Sequence, residues 1–289
     1  MDRLAGLRVA PGAPGIPPRW FSSRKDAVGS SPLPSRQVWF TIGEGVLDEV
    51  YYPRVDDPCT RHMECLVADR RGFYSEERRD TVSRVSWLEP GVPVFTVENE
   101  ARCGAYRLRK EVVADPDDPV VLQRIALESS RPGLSLFALL VPHLDDAREP
   151  NDAWVADYRG IPMLFARAGG DCLAFAAAGG WKARTVGYAR TSDGRETIRD
   201  LGGLDTTYGA APAGNVALTG EAPLDGAGRT VLAVGFGGTP EEAAFHVRRS
   251  LDRGFDAVRD AMAAAWRRWQ KKIVLPGAAL DAAVLHCHG

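Results

Sequence analysis

The residues best suited to chemistry in this sequence are carboxylates that come in adjacent pairs: Asp48-Glu49, Asp56-Asp57, Glu76-Glu77, Asp117-Asp118, Asp145-Asp146 and Glu241-Glu242. Two carboxyl groups hydrolyse a glycosidic bond when they belong to different elements and flank it at roughly 5 to 9.5 Å. Neighbours along a strand project to opposite faces, so neither member of a pair is placed to work with the other. The pairs therefore read as solvated charge on turns and helix starts, where such side chains usually lie. No Gly-x-Ser-x-Gly elbow, His-Glu-x-x-His helix, phosphate loop or dinucleotide fingerprint occurs. His286-Cys287-His288 contains metal-ligand types, but three consecutive residues cannot converge on one ion and no second cluster accompanies them. The sequence thus assigns no catalytic residue, no metal and no cofactor, and it leaves His62, His143 and His246 ordinary structural roles.

Aromatic residues offer a second kind of chemistry, since their faces stack on the C–H surfaces of sugars. Trp154 and Tyr158 lie in a polar, turn-rich segment, residues 145–160, that reads as one long loop. They are candidate contacts for a carbohydrate or a partner; the competing reading is that they cover the end of a sheet. Trp39, Trp87 and Trp181 fall on predicted strands or strand ends and belong to the core. Trp266 and Trp269, at helical spacing, form a predicted docking stripe.

The elements that must position these side chains are mostly strands. The segment VWFTIGEGVLDEVYYPRVD, residues 38–56, reads as a hairpin: residues 39–41 and 46–52 are the strands, Gly43 and Gly45 allow the reversal, and Pro53 ends the second strand. Apolar and polar residues do not alternate cleanly over 46–52, which predicts burial on both faces and a place inside a sheet. Further strand candidates are 64–68, 82–88, 92–98, 106–113, 120–128, 134–142, 163–167, 173–177, 183–190, 216–219 and 230–236, at the spacing of sandwiches and barrels. Residues 38–237 are thus predicted to be one all-β body, a large antiparallel two-layer sandwich. The proline-rich residues 1–37 should be an irregular lead-in pinned by Trp20-Phe21.

The period then changes. Thr239 is a helix N-cap, Pro240 occupies the first helical position, Glu242 completes a capping box, and Gly254 closes the helix. A second helix starting near Phe255 carries Val258, Met262, Trp266 and Trp269 on one stripe, and both helices should pack on the sandwich or on a partner. A short third helix is expected over 280–286.

Composition excludes several classes of function. Lys plus Arg number 36 against 38 Asp plus Glu, so no positive excess points to nucleic acid. No apolar run approaches the roughly 20 residues that cross a bilayer, and the N-terminus lacks a signal-peptide core; the expected location is cytoplasmic, away from any membrane. The 5 cysteines are odd in number and irregularly spaced, unlike a disulfide framework.

Five segments, APGAPGIPPRWFSSRKDAVGSS, VWFTIGEGVLDEVYYPRVDDPCTR, LVADRRGFYSEE, WVADYRGIPMLFA and GNVALTGE, in this order, closely resemble the N-terminal domain of bacterial glucoamylases and glucodextranases of glycoside hydrolase family 15. The resemblance implies a β-supersandwich of the galactose-mutarotase-like group with C-terminal linker helices, followed in the family by an (α/α)6 barrel. In the family that barrel carries both catalytic glutamates and releases glucose, with inversion, from the non-reducing ends of α-glucans. No position here matches the catalytic motifs, and the ending AVLHCHG resembles the start of the first barrel helix; residues 238–289 are therefore expected to hold linker helices and a truncated barrel start. The implied partner is such a barrel, with Glu49, Tyr51, Tyr52, Arg54, Trp266 and Trp269 as candidate docking residues. The alternatives are a stand-alone module that binds an α-glucan oligosaccharide through Trp154 and Tyr158, and a subunit that docks on a separately encoded barrel.

Overall fold

A computed structural model describes residues 3–17, 19–20, 23–32, 38–147 and 150–272. Two antiparallel sheets face one another. The first joins β1 (Ala27–Ser30), β2 (Trp39–Gly43), β3 (Val46–Tyr51), β4 (Thr60–Ala68), β10 (Ser135–Pro142), β16 (Val216–Glu221) and β14 (Ala183–Tyr188) in that order, with β5 (Tyr74–Glu76) paired to β4. The second runs β15 (Ala210–Gly214), β11 (Asn151–Tyr158), β12 (Ile161–Ala168), β13 (Asp171–Ala177), β17 (Arg229–Gly237), β9 (Val120–Ser129), β8 (Tyr106–Ala114), β7 (Val92–Ala101), β6 (Thr81–Glu89). This is the all-β supersandwich expected from the sequence.

The hairpin β2–β3 is interior to its sheet, flanked by β1 and β4, which explains why Val46, Leu47, Asp48, Glu49 and Val50 are all buried. Its turn depends on Gly45, whose φ is 78° and where an added Cβ would meet Ser83 and Asn99 side chains. The main core lies between the sheets, where Phe40, Ile42, Phe95, Leu122, Phe175 and Phe236 are fully or almost fully buried.

Several expectations need correction. Residues 1–37 are not wholly irregular: Ala27–Ser30 extends the first sheet, because Val28 and its neighbours find the backbone of β2. Residues 145–160 are not one loop; after a short 3-10 turn, Leu144–Ala147, strand β11 begins and pairs with β12 on one side and β15 on the other. Two short helices, α1 (Glu77–Asp80) and α2 (Arg195–Leu201), interrupt the run of strands. Finally, several carboxylates read as solvated are buried: Asp48, Asp118 and Glu77 are wholly so, and Glu49 nearly so. Their cations come from remote segments, which no local pattern reveals.

The C-terminal helices α3 (Pro240–Arg253) and α4 (Phe255–Gln270) begin where the capping residues place them, with Thr239 Oγ1 accepting from the Glu242 amide. Helix α3 lies on β17 and β13, and its charged edge grips the β8–β9 turn. There His246 Nδ1 is 2.6 Å from Asp118 Oδ1, and Arg249 Nε donates to Asp118 Oδ2 at 2.7 Å. Ser250 and Arg253 hold Asp115. Helix α4 packs on β7 and β8. Trp266 is 1% exposed, and its indole N–H donates to the Ser30 carbonyl at 3.2 Å. The stripe read as a docking surface is therefore core, because the sandwich itself supplies the apolar face that Val258, Met262 and Trp266 need. The third helix expected over 280–286 and His286-Cys287-His288 lie outside the described residues.

Candidate functional site

Strand β4 separates two environments by the alternation of its side chains. Met63, Cys65 and Val67 enter the main core. Leu66 and Ala68, on the other side, join Phe137, Leu139 and the α2 residue Ile198 in a second apolar cluster on the outer face of the first sheet. His62 and Glu64 share that outer face, and beside them opens a cleft of about 480 Å³. Its walls come from five places in the chain: Arg19 and Trp20 of the lead-in, His62 and Glu64 of β4, Glu76 with Arg78 and Arg79 around β5 and α1, Val141 of β10, and Arg190, Asp193 and Arg195 of the β14–α2 connection.

The floor is an ion-pair network. Arg195 donates to Glu64 Oε1 at 2.6 Å and lies 2.9 Å from Glu76 Oε2. His62 Nε2 is 3.7 Å from the same Glu64 oxygen. Burial pushes the Glu64 carboxyl up against the pull of Arg195. Burial also pushes His62 well below its usual value, and the guanidinium groups of Arg195, Arg78, Arg190 and Arg61 add to that shift; the ring is neutral at pH 7. Two further groups shape the rim. Asp193 accepts from the backbone N–H of both Arg190 and Arg195, at 2.9 and 3.1 Å, and so holds Arg190 at a φ of 59°. Trp20 is 43% exposed; the Arg61 guanidinium lies 4.2 Å from its ring centroid and His143 meets it edge-on at 4.9 Å.

The residues singled out from the sequence do not assemble here. Trp154 is 2% exposed and stacks at 5.4 Å on Phe165, its direct partner across β11–β12, so its ring has no free face for a sugar. Tyr158, at the end of β11, is half-buried against the core. Glu49 is buried under Lys25, whose Nζ is 2.7 Å from Glu49 Oε1 and from Asp48 Oδ2. Tyr52 stacks on Phe236 at 5.5 Å, Tyr51 is half-buried, and Arg54 is exposed and paired with Asp56. Trp269 is partly buried and meets Trp266 edge-on at 5.2 Å. Among the described residues no group of three or more metal-ligand side chains is placed to hold an ion. No described helix is long and apolar enough to cross a membrane.

Sequence reasoning missed the cleft. The available signal was the pair His62 and Glu64 at alternate positions of a strand whose following residues, Cys65 to Ala68, are all apolar. A carboxylate beside a histidine on one face of a central strand calls for a covering cation, here Arg195 from 131 residues away.

A family model described as "Glucodextranase, domain N" matches residues 10–271. The chain belongs to this family. Among curated proteins, this glucodextranase N domain is 26% identical over 272 residues to a glucoamylase from Clostridium sp. (strain G0005); the match takes in 93% of this chain and 38% of that enzyme. Among solved structures, a bacterial glucoamylase complexed with acarbose superposes with a TM-score of 0.88 at 22% identity, over 92% of this chain and 40% of the other. A family GH92 inverting mannosidase from Bacteroides thetaiotaomicron gives a TM-score of 0.54 at 9% identity, over 90% of this chain and 35% of the mannosidase, which shows a related sandwich and no more. The N domain thus spans well under half of the curated and solved relatives it matches, and it corresponds to the N-terminal sandwich of glucoamylase.

Proposed function

We propose that this N domain is the non-catalytic sandwich of a glucoamylase-type α-glucan exo-hydrolase and that it serves by packing against an (α/α)6 catalytic barrel. The carrying observation is that its buried carboxylates are tied up, all but Asp193 by a cation from another element and Asp193 by two backbone N–H groups. Lys25 holds Asp48 and Glu49, Arg195 holds Glu64, Lys110 holds Glu77, and the arginines of α3 hold Asp115 and Asp118. An acid–base pair for glycoside hydrolysis needs one carboxyl free to donate a proton and one free to activate water. The family match and the 26% identity to a glucoamylase support an α-glucan as the substrate class of the whole enzyme.

Of the docking residues expected from the sequence, Tyr51, Tyr52, Arg54 and Trp269 keep surface; Glu49 and Trp266 do not. The loop after β3 is the best-presented part, with Val55 61% exposed beside the Arg54–Asp56 pair. The test is glucose release from maltotetraose by the purified chain, expected to match buffer alone. A second assay mixes the chain with a separately produced glucoamylase barrel and follows co-elution, which Val55→Asp with Arg54→Glu should weaken. Turnover by the chain itself would overturn the proposal.

A further inference from the structure

The cleft over β4 has properties that packing against a barrel does not require. Arg19 and Arg190 line it, both are exposed, and neither has an ion pair among the described residues, unlike Arg78, Arg79 and Arg195, which are matched with Glu44, Asp80 and Glu64. The connection carrying Arg190 is built around the buried Asp193, whose carboxylate holds two backbone N–H groups and whose carbonyl accepts from Thr219 at 2.6 Å. A non-glycine residue kept in the left-handed region is strained and persists where its surroundings over-determine it.

The floor has unused hydrogen-bonding capacity of both kinds. Arg195 Nε is buried with no acceptor among the described residues. Glu64 binds Arg195 through Oε1 alone, and its Oε2 has no hydrogen bond among them. The Arg195 side chain keeps 20% of its surface and lines the cleft, so a ligand there can supply acceptors to its guanidinium. Sugar hydroxyls are donor and acceptor at once and match such a floor, whereas the mouth arginines ask for negative charge. The depressed basicity of His62 agrees, since four arginines contribute to it.

We propose that this cleft binds a monosaccharide bearing a phosphate group, with Arg19 and Arg190 on the phosphate and Arg195 and Glu64 on the sugar hydroxyls. A volume of about 480 Å³ takes one such molecule, and the exposed edge of Trp20 closes one side. This goes beyond the role proposed above and stands whether or not a barrel is docked.

The experiment is calorimetric titration of the full chain with glucose 6-phosphate, with glucose and inorganic phosphate as separate probes. The expected result is saturable binding of glucose 6-phosphate and affinity at least about tenfold weaker for either fragment, because each occupies half of the site. Arg19→Gln with Arg190→Gln, two exposed positions whose loss should leave the melting temperature unchanged, should lower affinity about tenfold or more, and Arg19→Lys should keep most of it. Glu64→Gln should weaken glucose 6-phosphate while leaving inorganic phosphate unaffected. Absence of saturable heat at about 10 mM ligand overturns the proposal, as does binding unchanged in the double variant or glucose binding as tightly as its phosphate.

Discussion

Lys110 and Glu77 form an ion pair of 2.6 Å with almost no solvent contact, their side chains 1% and 0% exposed. The same Glu77 oxygen accepts from Asn99, and the Lys110 ammonium also donates to the Gly45 carbonyl at 2.7 Å. Glu77 Oε2 accepts from the Cys65 amide at 2.9 Å. One buried pair thus ties the β2–β3 turn, β4 and β8 together, at the place where the two sheets must hold register.

Removing one partner leaves the other charged and unpaired. Lys110→Met is expected to cost about 3 to 5 kcal/mol in urea unfolding, with Lys110→Met plus Glu77→Gln recovering much of that loss. Equal losses in the single and double variants would show that the pair does not couple.

Trp266 is a second stability test. Its burial on the sandwich predicts that Trp266→Ala lowers stability by about 3 to 5 kcal/mol, whereas the partly solvated Trp269 should lose less than half of that. A docking stripe would behave oppositely, with unchanged melting and loss of association only.

Asp48 makes stability depend on pH. Burial, offset only in part by the Lys25 hydrogen bond, raises its carboxyl from 3.8 to about 6, and Oδ1 has no hydrogen bond among the described residues. The folded state therefore holds the proton more tightly than the unfolded chain, and stability from this group falls as pH rises from about 4 through 6. Asp48→Asn should gain on the parent across that window by roughly 1 to 2 kcal/mol, below the full linkage value because Lys25 remains partly solvated. Parallel stability curves from pH 4 to 8 would contradict the assignment.

Asp118 works in the opposite sense. Burial alone would raise its carboxyl, but hydrogen bonds from His246 and Arg249 outweigh burial and hold it below the usual range. Its contribution is present above the unfolded value and is lost as pH falls through the folded one. Asp118→Asn should thus loosen α3 at neutral pH, by roughly 1 to 3 kcal/mol, and matter little in strong acid. Hydrogen exchange over residues 240–253 at pH 7 and pH 3 reads this directly.

Local rules acted over a few residues were legible in the chain itself. The β2–β3 reversal follows from Gly43 and Gly45, and the start of α3 from Thr239, Pro240 and Glu242, because hairpins and caps are decided by neighbours. The all-β class followed from repeated short apolar segments. Strand β11 was hidden because its polar residues imitate a loop, and only pairing with β12 and β15 makes it a strand. Trp266 illustrates the same limit: helical spacing showed that it lies on an apolar stripe, but whether that stripe faces a partner or its own sandwich depends on Ser30, 236 residues away. The charged cleft belongs wholly to the tertiary structure. Its floor exists because Arg195 reaches Glu64, and buried charge is tolerated only where a remote cation arrives, which is a property of the folded surface and of no single segment.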